Sequence, residues 1–140
     1  MDQDAQNLNL LSIFHYVVGG LAALFSMFPV IHLVIGISFL SGALPADGEP
    51  AIQIVGLVFV VIASVIILLG LTVAGLIVWA GVNLGRRTRY TYCLVVAGVE
   101  CLFMPFGTVL GILTLVMLTK PPVKEMFGMA PAPPAGEVGP

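Results

Sequence analysis

Three apolar blocks dominate the chain. Leu8 to Leu44, Ala51 to Gly85 and Tyr90 to Thr119 contain no lysine, no arginine and a single acid, Glu100. Uncharged apolar runs well beyond about 18 residues are the mark of transmembrane helices, because only a helix satisfies every backbone polar group inside lipid. Charged residues make up 9% of the sequence, whereas a soluble domain carries about 25%. The class that follows is all-α and polytopic: one long helical hairpin plus one short helical hairpin that either crosses a thinned bilayer or re-enters it.

The segments divide accordingly. Residues 1–7 read as a cytoplasmic N-terminal segment, 8–119 as the transmembrane helical domain, and 120–140 as a disordered Pro/Ala/Gly-rich cytoplasmic tail. Within the domain the helices are expected at about 8–44, 51–85, 90–103 and 107–119. The start, Met1-Asp2-Gln3-Asp4, is acidic and lacks the basic region of a cleaved signal, so the first block is expected to stay as an anchor. In the tail, Val123 to Met129 reads as a short interfacial turn that dips Met126 and Phe127 into lipid.

Orientation follows from the cations. Arg86, Arg87 and Arg89 come after the second block, and Lys120 and Lys124 after the third, while the Pro45–Pro50 loop has only the acids Asp47 and Glu49. The positive-inside rule puts both basic groups in the cytoplasm, where they meet lipid headgroups. The third block then begins and ends on one side. Met104-Pro105-Phe106-Gly107 supplies the break at its middle, since Pro and Gly end helices.

The first two blocks are too long for a single upright crossing. As one helix each would run to about 50 Å, against a hydrocarbon core of about 30 Å. Pro29 is the natural kink in the first; the competing reading makes Phe28-Pro29 a turn between two half-helices. Folding the long hairpin at the acidic loop puts Tyr16 level with Trp79, and Tyr90 and Tyr92 join them in an interfacial aromatic belt.

Small residues recur on one helix face. Gly56, Ala63, Gly70, Ala74, Gly81 and Gly85 follow spacings of four and seven, and Ser12, Gly19, Ala22, Ser26 and Gly36 form a similar stripe on the first block. Gly107 and Gly111 add a GxxxG on the last helix. Such faces let backbones approach closely in lipid. They serve either to pack the first two helices together or to dock a partner or second copy.

Glu100 is the residue that most needs explaining. It lies ten residues into the third block, about 15 Å from Tyr90 along a helix. An acid at that depth is costly and faces the bundle interior or a polar cavity. Cys93, Ala97, Glu100 and Met104 share a face, which should look inward. The hairpin register puts His15 at a comparable depth, near Ala80 and a turn from Asn83. A Glu100–His15 hydrogen bond with Ser12 or Asn83 nearby is the expected intramembrane polar site. His32, farther out, is expected to bond a hydroxyl or a carbonyl. Glu100 is then a structural lock, a proton or ion carrier, or a contact to a partner.

No enzyme motif is present: no HExxH, GxSxG, Walker loop or CxxC. Cys93 and Cys101 are eight apart, about 12 Å on a helix, beyond disulfide reach. No metal, cofactor, catalytic residue or nucleic-acid partner is expected.

Two stretches carry a family likeness. Ser12-Ile-Phe-His-Tyr-Val-Val-Gly-Gly20 and Glu100-Cys-Leu-Phe-Met-Pro-Phe-Gly-Thr-Val-Leu-Gly-Ile-Leu-Thr-Leu-Val-Met-Leu118 resemble small uncharacterised bacterial membrane proteins. In that group an FPFGTxLGI-like segment near the end follows an Arg-rich turn; Met104 stands here where the group often has Phe. The resemblance implies a bacterial inner-membrane protein of about four helices and supplies no reaction or ligand. The function expected from all this is a small structural or accessory subunit assembling with itself or a larger membrane complex. The alternative is a proton-coupled or ion-conducting oligomer using Glu100 with His15.

Overall fold

The computed structural model describes residues 2–43, 49–102 and 105–129. Among these the chain is all-helical, with no strand. Six helices follow in order: α1 Asp2–Ser26, α2 Val30–Leu40, α3 Pro50–Arg86, α4 Tyr90–Glu100, α5 Phe106–Thr119 and α6 Pro121–Met126. Asp2–Leu40 and Pro50–Arg86 are long and apolar enough to cross a membrane. Leu44 to Gly48, Phe103, Met104 and the tail from Ala130 lie outside the described residues, and with them the acidic loop, the Met104 position of the inward face and the end of the expected tail.

The first block is a kinked helix. Pro29 has no amide hydrogen, so the ordinary ladder lapses around it. Met27 and Phe28 donate instead to Leu24 and Phe25, and Val30 to Met27, at 3.0–3.1 Å. These three-residue bonds form a tight 3₁₀-like turn between α1 and α2. Ser26 before the turn and Gly36 after it both pack on α3, against Gly70 and Gly56. The chain therefore continues antiparallel to α3 on both sides of Pro29, bent rather than reversed.

The contacts divide the chain into two compact units. The first, Gly19–Gly75, is a pair of antiparallel helix segments in near-backbone contact. A methyl added to Gly36 would lie 2.8 Å from the Gly56 carbonyl oxygen, and one on Gly56 would lie 3.0 Å from that of Gly36. At Gly70 it would run into the Ser26 hydroxyl, which donates to Ala22 at 2.6 Å. Ala63 and Ala74 are buried in the same stripe.

The second unit, Met1–Val18 with Leu76–Pro140, has a side-chain core. Leu8, Leu11, Leu84, Cys93, Leu110, Met117, Leu118 and Val123 cluster there, with Tyr90, Met126 and Phe127 packed against them. Ser12 sits over Gly81 and Gly85, as the small-residue stripes anticipate. On α5, Gly107, Leu110, Gly111, Thr114, Met117 and Leu118 form one buried face. A methyl on Gly111 would come within 3.0 Å of the Cys101 nitrogen and nearer still to the Ala97 carbonyl, so α4 and α5 touch through their backbones.

Several boundaries differ from the sequence expectation: α2 ends at Leu40 rather than about residue 44 and α4 at Glu100 rather than about 103, and two others matter more. The expected N-terminal segment 1–7 is helical from Asp2 onward, and its Asp4 carboxylate takes the Lys120 ammonium at 3.3 Å. More consequentially, residues 121–126 are not tail. Pro121 and Pro122 occupy the first positions of α6, where a missing amide hydrogen costs nothing and the fixed φ suits a helix. Val123 is wholly buried, and Phe127 meets Tyr90 edge-on at 5.7 Å. Val123 is part of the core, and the half-buried Met126 and Phe127 pack against it.

Candidate intramembrane polar site

The site is built from one turn of α1 and the last turn of α4. Cys93, Ala97 and Glu100 are all buried, as their shared helical face anticipates. Glu100 and His15 are each 1% exposed, and His15 Nε2 lies 3.2 Å from Glu100 Oε2. His15 is placed by its position over Gly81, where an added methyl would come 2.9 Å from the histidine Cβ. The glycine thus makes room for the imidazole.

The ring's orientation assigns its tautomer. Nδ1 lies 2.8 Å from the Leu11 carbonyl oxygen one turn earlier. A carbonyl only accepts, so Nδ1 carries a hydrogen and donates it. Nε2 then faces Glu100 with either a lone pair or a second hydrogen. The Nε2–Oε2 distance is short enough for a hydrogen bond, yet no ring N–H is aligned on the carboxylate. Neither Oε1 nor Oε2 has an aligned partner among the described residues. Distance makes this a pair; direction leaves the acid's bonding capacity unspent. Buried polar oxygens without partners are uncommon enough in folded proteins to require a reason.

The neighbours expected to complete the site are engaged elsewhere. Ser12 is buried and donates to the Gly81 carbonyl at 2.7 Å. Asn83 is buried but serves the α3–α4 turn: its Nδ2 donates to Trp79 at 2.8 Å, and its Oδ1 accepts from the Thr88 hydroxyl at 3.0 Å. The reason lies in the turn itself, whose Thr88 amide also returns to the Asn83 carbonyl at 2.9 Å. Neither Ser12 nor Asn83 reaches Glu100.

His32 departs from expectation too. It is exposed, and among the described residues it bonds neither a hydroxyl nor a carbonyl. It lies against two rings instead, Phe28 at 6.4 Å and Phe59, nearly edge-on, at 5.9 Å. Phe59, not a hydroxyl-bearing residue, lies opposite it on α3, beyond the irregular Pro29 turn.

The basic residues stay at the surface. Arg86, Arg87 and Arg89 are exposed in the α3–α4 turn, and Lys120 is exposed beside the half-buried Lys124. Arg87 and Arg89 both adopt the left-handed backbone, with φ of 54° and 53°, a conformation that costs a non-glycine residue about 1 kcal/mol or more. Nothing in the sequence signalled this. Of the aromatics expected to form an interfacial belt, Tyr16 and Trp79 face outward. Tyr90 turns inward to donate to the Leu118 carbonyl at 2.9 Å, and Tyr92 donates to Leu76 at 3.2 Å. Among the described residues no group of three or more His, Cys, Asp or Glu side chains is placed to hold a metal ion. No family model, curated protein or solved structure matches the chain.

Proposed function

We propose that the chain is a multi-pass integral membrane protein of a bacterial inner membrane, with both termini cytoplasmic, and that it acts as a small structural or accessory subunit. One observation carries the reading. Of the most apolar window in each long helix, only 6% and 11% is buried within the chain. A core helix of a soluble protein is mostly covered, whereas these helices present Leu24, Phe25, Ile54, Leu68 and Leu69 outward. Contiguous apolar surface on that scale calls for lipid or another protein. The placement in a bacterial inner membrane rests on the family resemblance, and the orientation on the arginines and lysines.

The accessory role draws support from how the small residues are used. Close approach at Gly36, Gly56, Gly70, Gly81 and Gly111 holds this chain's own helices together, leaving large side chains for outside contacts. An Asp47→Cys variant tests orientation: a membrane-impermeant thiol reagent added outside should label it, and labelling only from the cytoplasm would reverse the topology. Cross-linking in native membranes, followed by mass determination, should give a stoichiometric assembly with itself or a larger complex. A monomer that carries protons in liposomes would replace this reading with transport. That second reading draws on the two carboxylate oxygens of Glu100 that lack aligned partners.

A further inference from the structure

The contact between His15 and Glu100 has a chemical requirement that the packing alone does not meet. Because Nδ1 is committed to the Leu11 carbonyl, only Nε2 is available to the acid. Consider the three ways of distributing protons. If Glu100 is a carboxylic acid, its O–H donates to the Nε2 lone pair; if the proton has crossed, an imidazolium N–H donates to a carboxylate. Either bond requires the carboxyl or the ring to turn into line, because at 3.2 Å the two are close but not aligned. If the proton is absent, a lone pair and a carboxylate oxygen face each other across 3.2 Å, two acceptors with nothing between them. The first two arrangements hold the same single proton and carry no net charge. The third carries one negative charge in a buried site, where an uncompensated charge is strongly disfavoured.

We infer that His15 and Glu100 form a binding site for one proton, a latch between α1 and α4 that is closed when the proton lies between Nε2 and Oε2 and opens when it leaves. Opening transfers the proton to water and breaks no bond except the O–H or N–H that held it. Nothing else in the site substitutes for that proton. Ser12 on α1 and Thr114 on α5 donate their hydroxyls to Gly81 and Leu110, and Asn83 on α3 is taken by Trp79 and Thr88. Cys93 is the other titratable group on the buried face of α4. The only other ion pair among the described residues, Lys120 with Asp4, is exposed. The inference goes beyond the accessory role and stands whether or not the chain has a partner.

The test uses the full chain in bilayers, with ¹⁵N-labelled histidine and His32→Gln so that one imidazole remains. The Nδ1 resonance should report a bound hydrogen at every pH. The Nε2 resonance should move in one step; where the acid holds the proton, a carboxylic-acid carbonyl band in the infrared disappears over the same range, and where the imidazole holds it, an imidazolium signal does. In Glu100→Gln the amide can donate to Nε2 permanently, so both signals should be lost and His15 should remain a neutral Nδ1–H imidazole. Difference titration of wild type against Glu100→Gln should count one proton per chain. A neutral His15 with its hydrogen on Nε2, no step in the wild type, or the same step in Glu100→Gln would each overturn the latch. Should Glu100→Gln fail to fold, His15→Gln serves in its place: the infrared band should lose its wild-type pH step, and an unchanged step overturns the proposal.

Discussion

The two compact units achieve cohesion by opposite means. Gly19–Gly75 coheres because side chains are missing: Gly36, Gly56 and Gly70 let two helices meet backbone to backbone. Met1–Val18 with Leu76–Pro140 coheres because side chains are present, with Leu8, Leu84, Leu118 and Val123 filling a shared interior. Among the described residues only the second unit holds a buried pair of ionisable groups, His15 and Glu100. A packed side-chain interior can exclude water from such a pair and fix its ring, whereas the two-helix unit buries only small residues such as Ala63 and Ala74.

The largest expected effect tests whether α6 belongs to that interior. Val123→Asp places an unpartnered acid in a wholly buried position and should cost about 4 kcal/mol or more, read as a lower melting temperature in mild detergent by circular dichroism. A melting temperature like that of wild type would return residues 120–129 to the tail. Next comes a matched pair of glycine substitutions. Gly111→Ala, pinned between α5 and the α4 backbone, should cost about 3 kcal/mol, and Gly36→Ala about 1 kcal/mol. The two-helix unit has nothing behind it to resist splaying, so equal losses would erase the distinction drawn above.

His15→Met comes third. It leaves the Glu100 carboxyl buried without a partner and should destabilise by about 1–3 kcal/mol. The double variant His15→Met with Glu100→Met should recover most of the loss, because apolar residues of similar volume replace buried polar pairs without penalty. A double variant as unstable as the single would mean that the pair contributes more than mutual satisfaction. The smallest effect belongs to the α3–α4 turn. Arg89→Gly removes the left-handed strain and should raise stability by up to about 1 kcal/mol.

Much of this was legible in the residues. Folding at the acidic loop sets a register with His15 near Ala80, one residue from the Gly81 on which it sits, and the inward face of α4 followed from spacing alone. What escaped was set by local exceptions. Pro121-Pro122 looks like the end of structure, but the same two residues are well suited to the first turn of a helix, so the burial of Val123 was hidden. Asn83 carries the polarity of a site residue, yet the α3–α4 turn nearby competes for it. His32 pairs with rings rather than hydroxyls because the irregular turn at Pro29 shifts what lies opposite. Pattern gives faces and periods; competition for hydrogen bonds and offsets at turns are tertiary facts.

The chain positions of the two units also set an order of events at the ribosome. Gly19–Gly75 is one continuous stretch, so it is complete before Leu76 and everything after it has been made. The other unit joins the two ends of the chain, and Leu8 waits for Val123. At about 5–20 residues per second, the 48 residues from Gly75 to Val123 take roughly 2 to 10 seconds to appear. Glu100 follows Gly75 by 25 residues, so for roughly the first 1 to 5 seconds of that interval His15 is made but has no acid to face. The pair therefore closes only after the long hairpin is complete and α4 has been made.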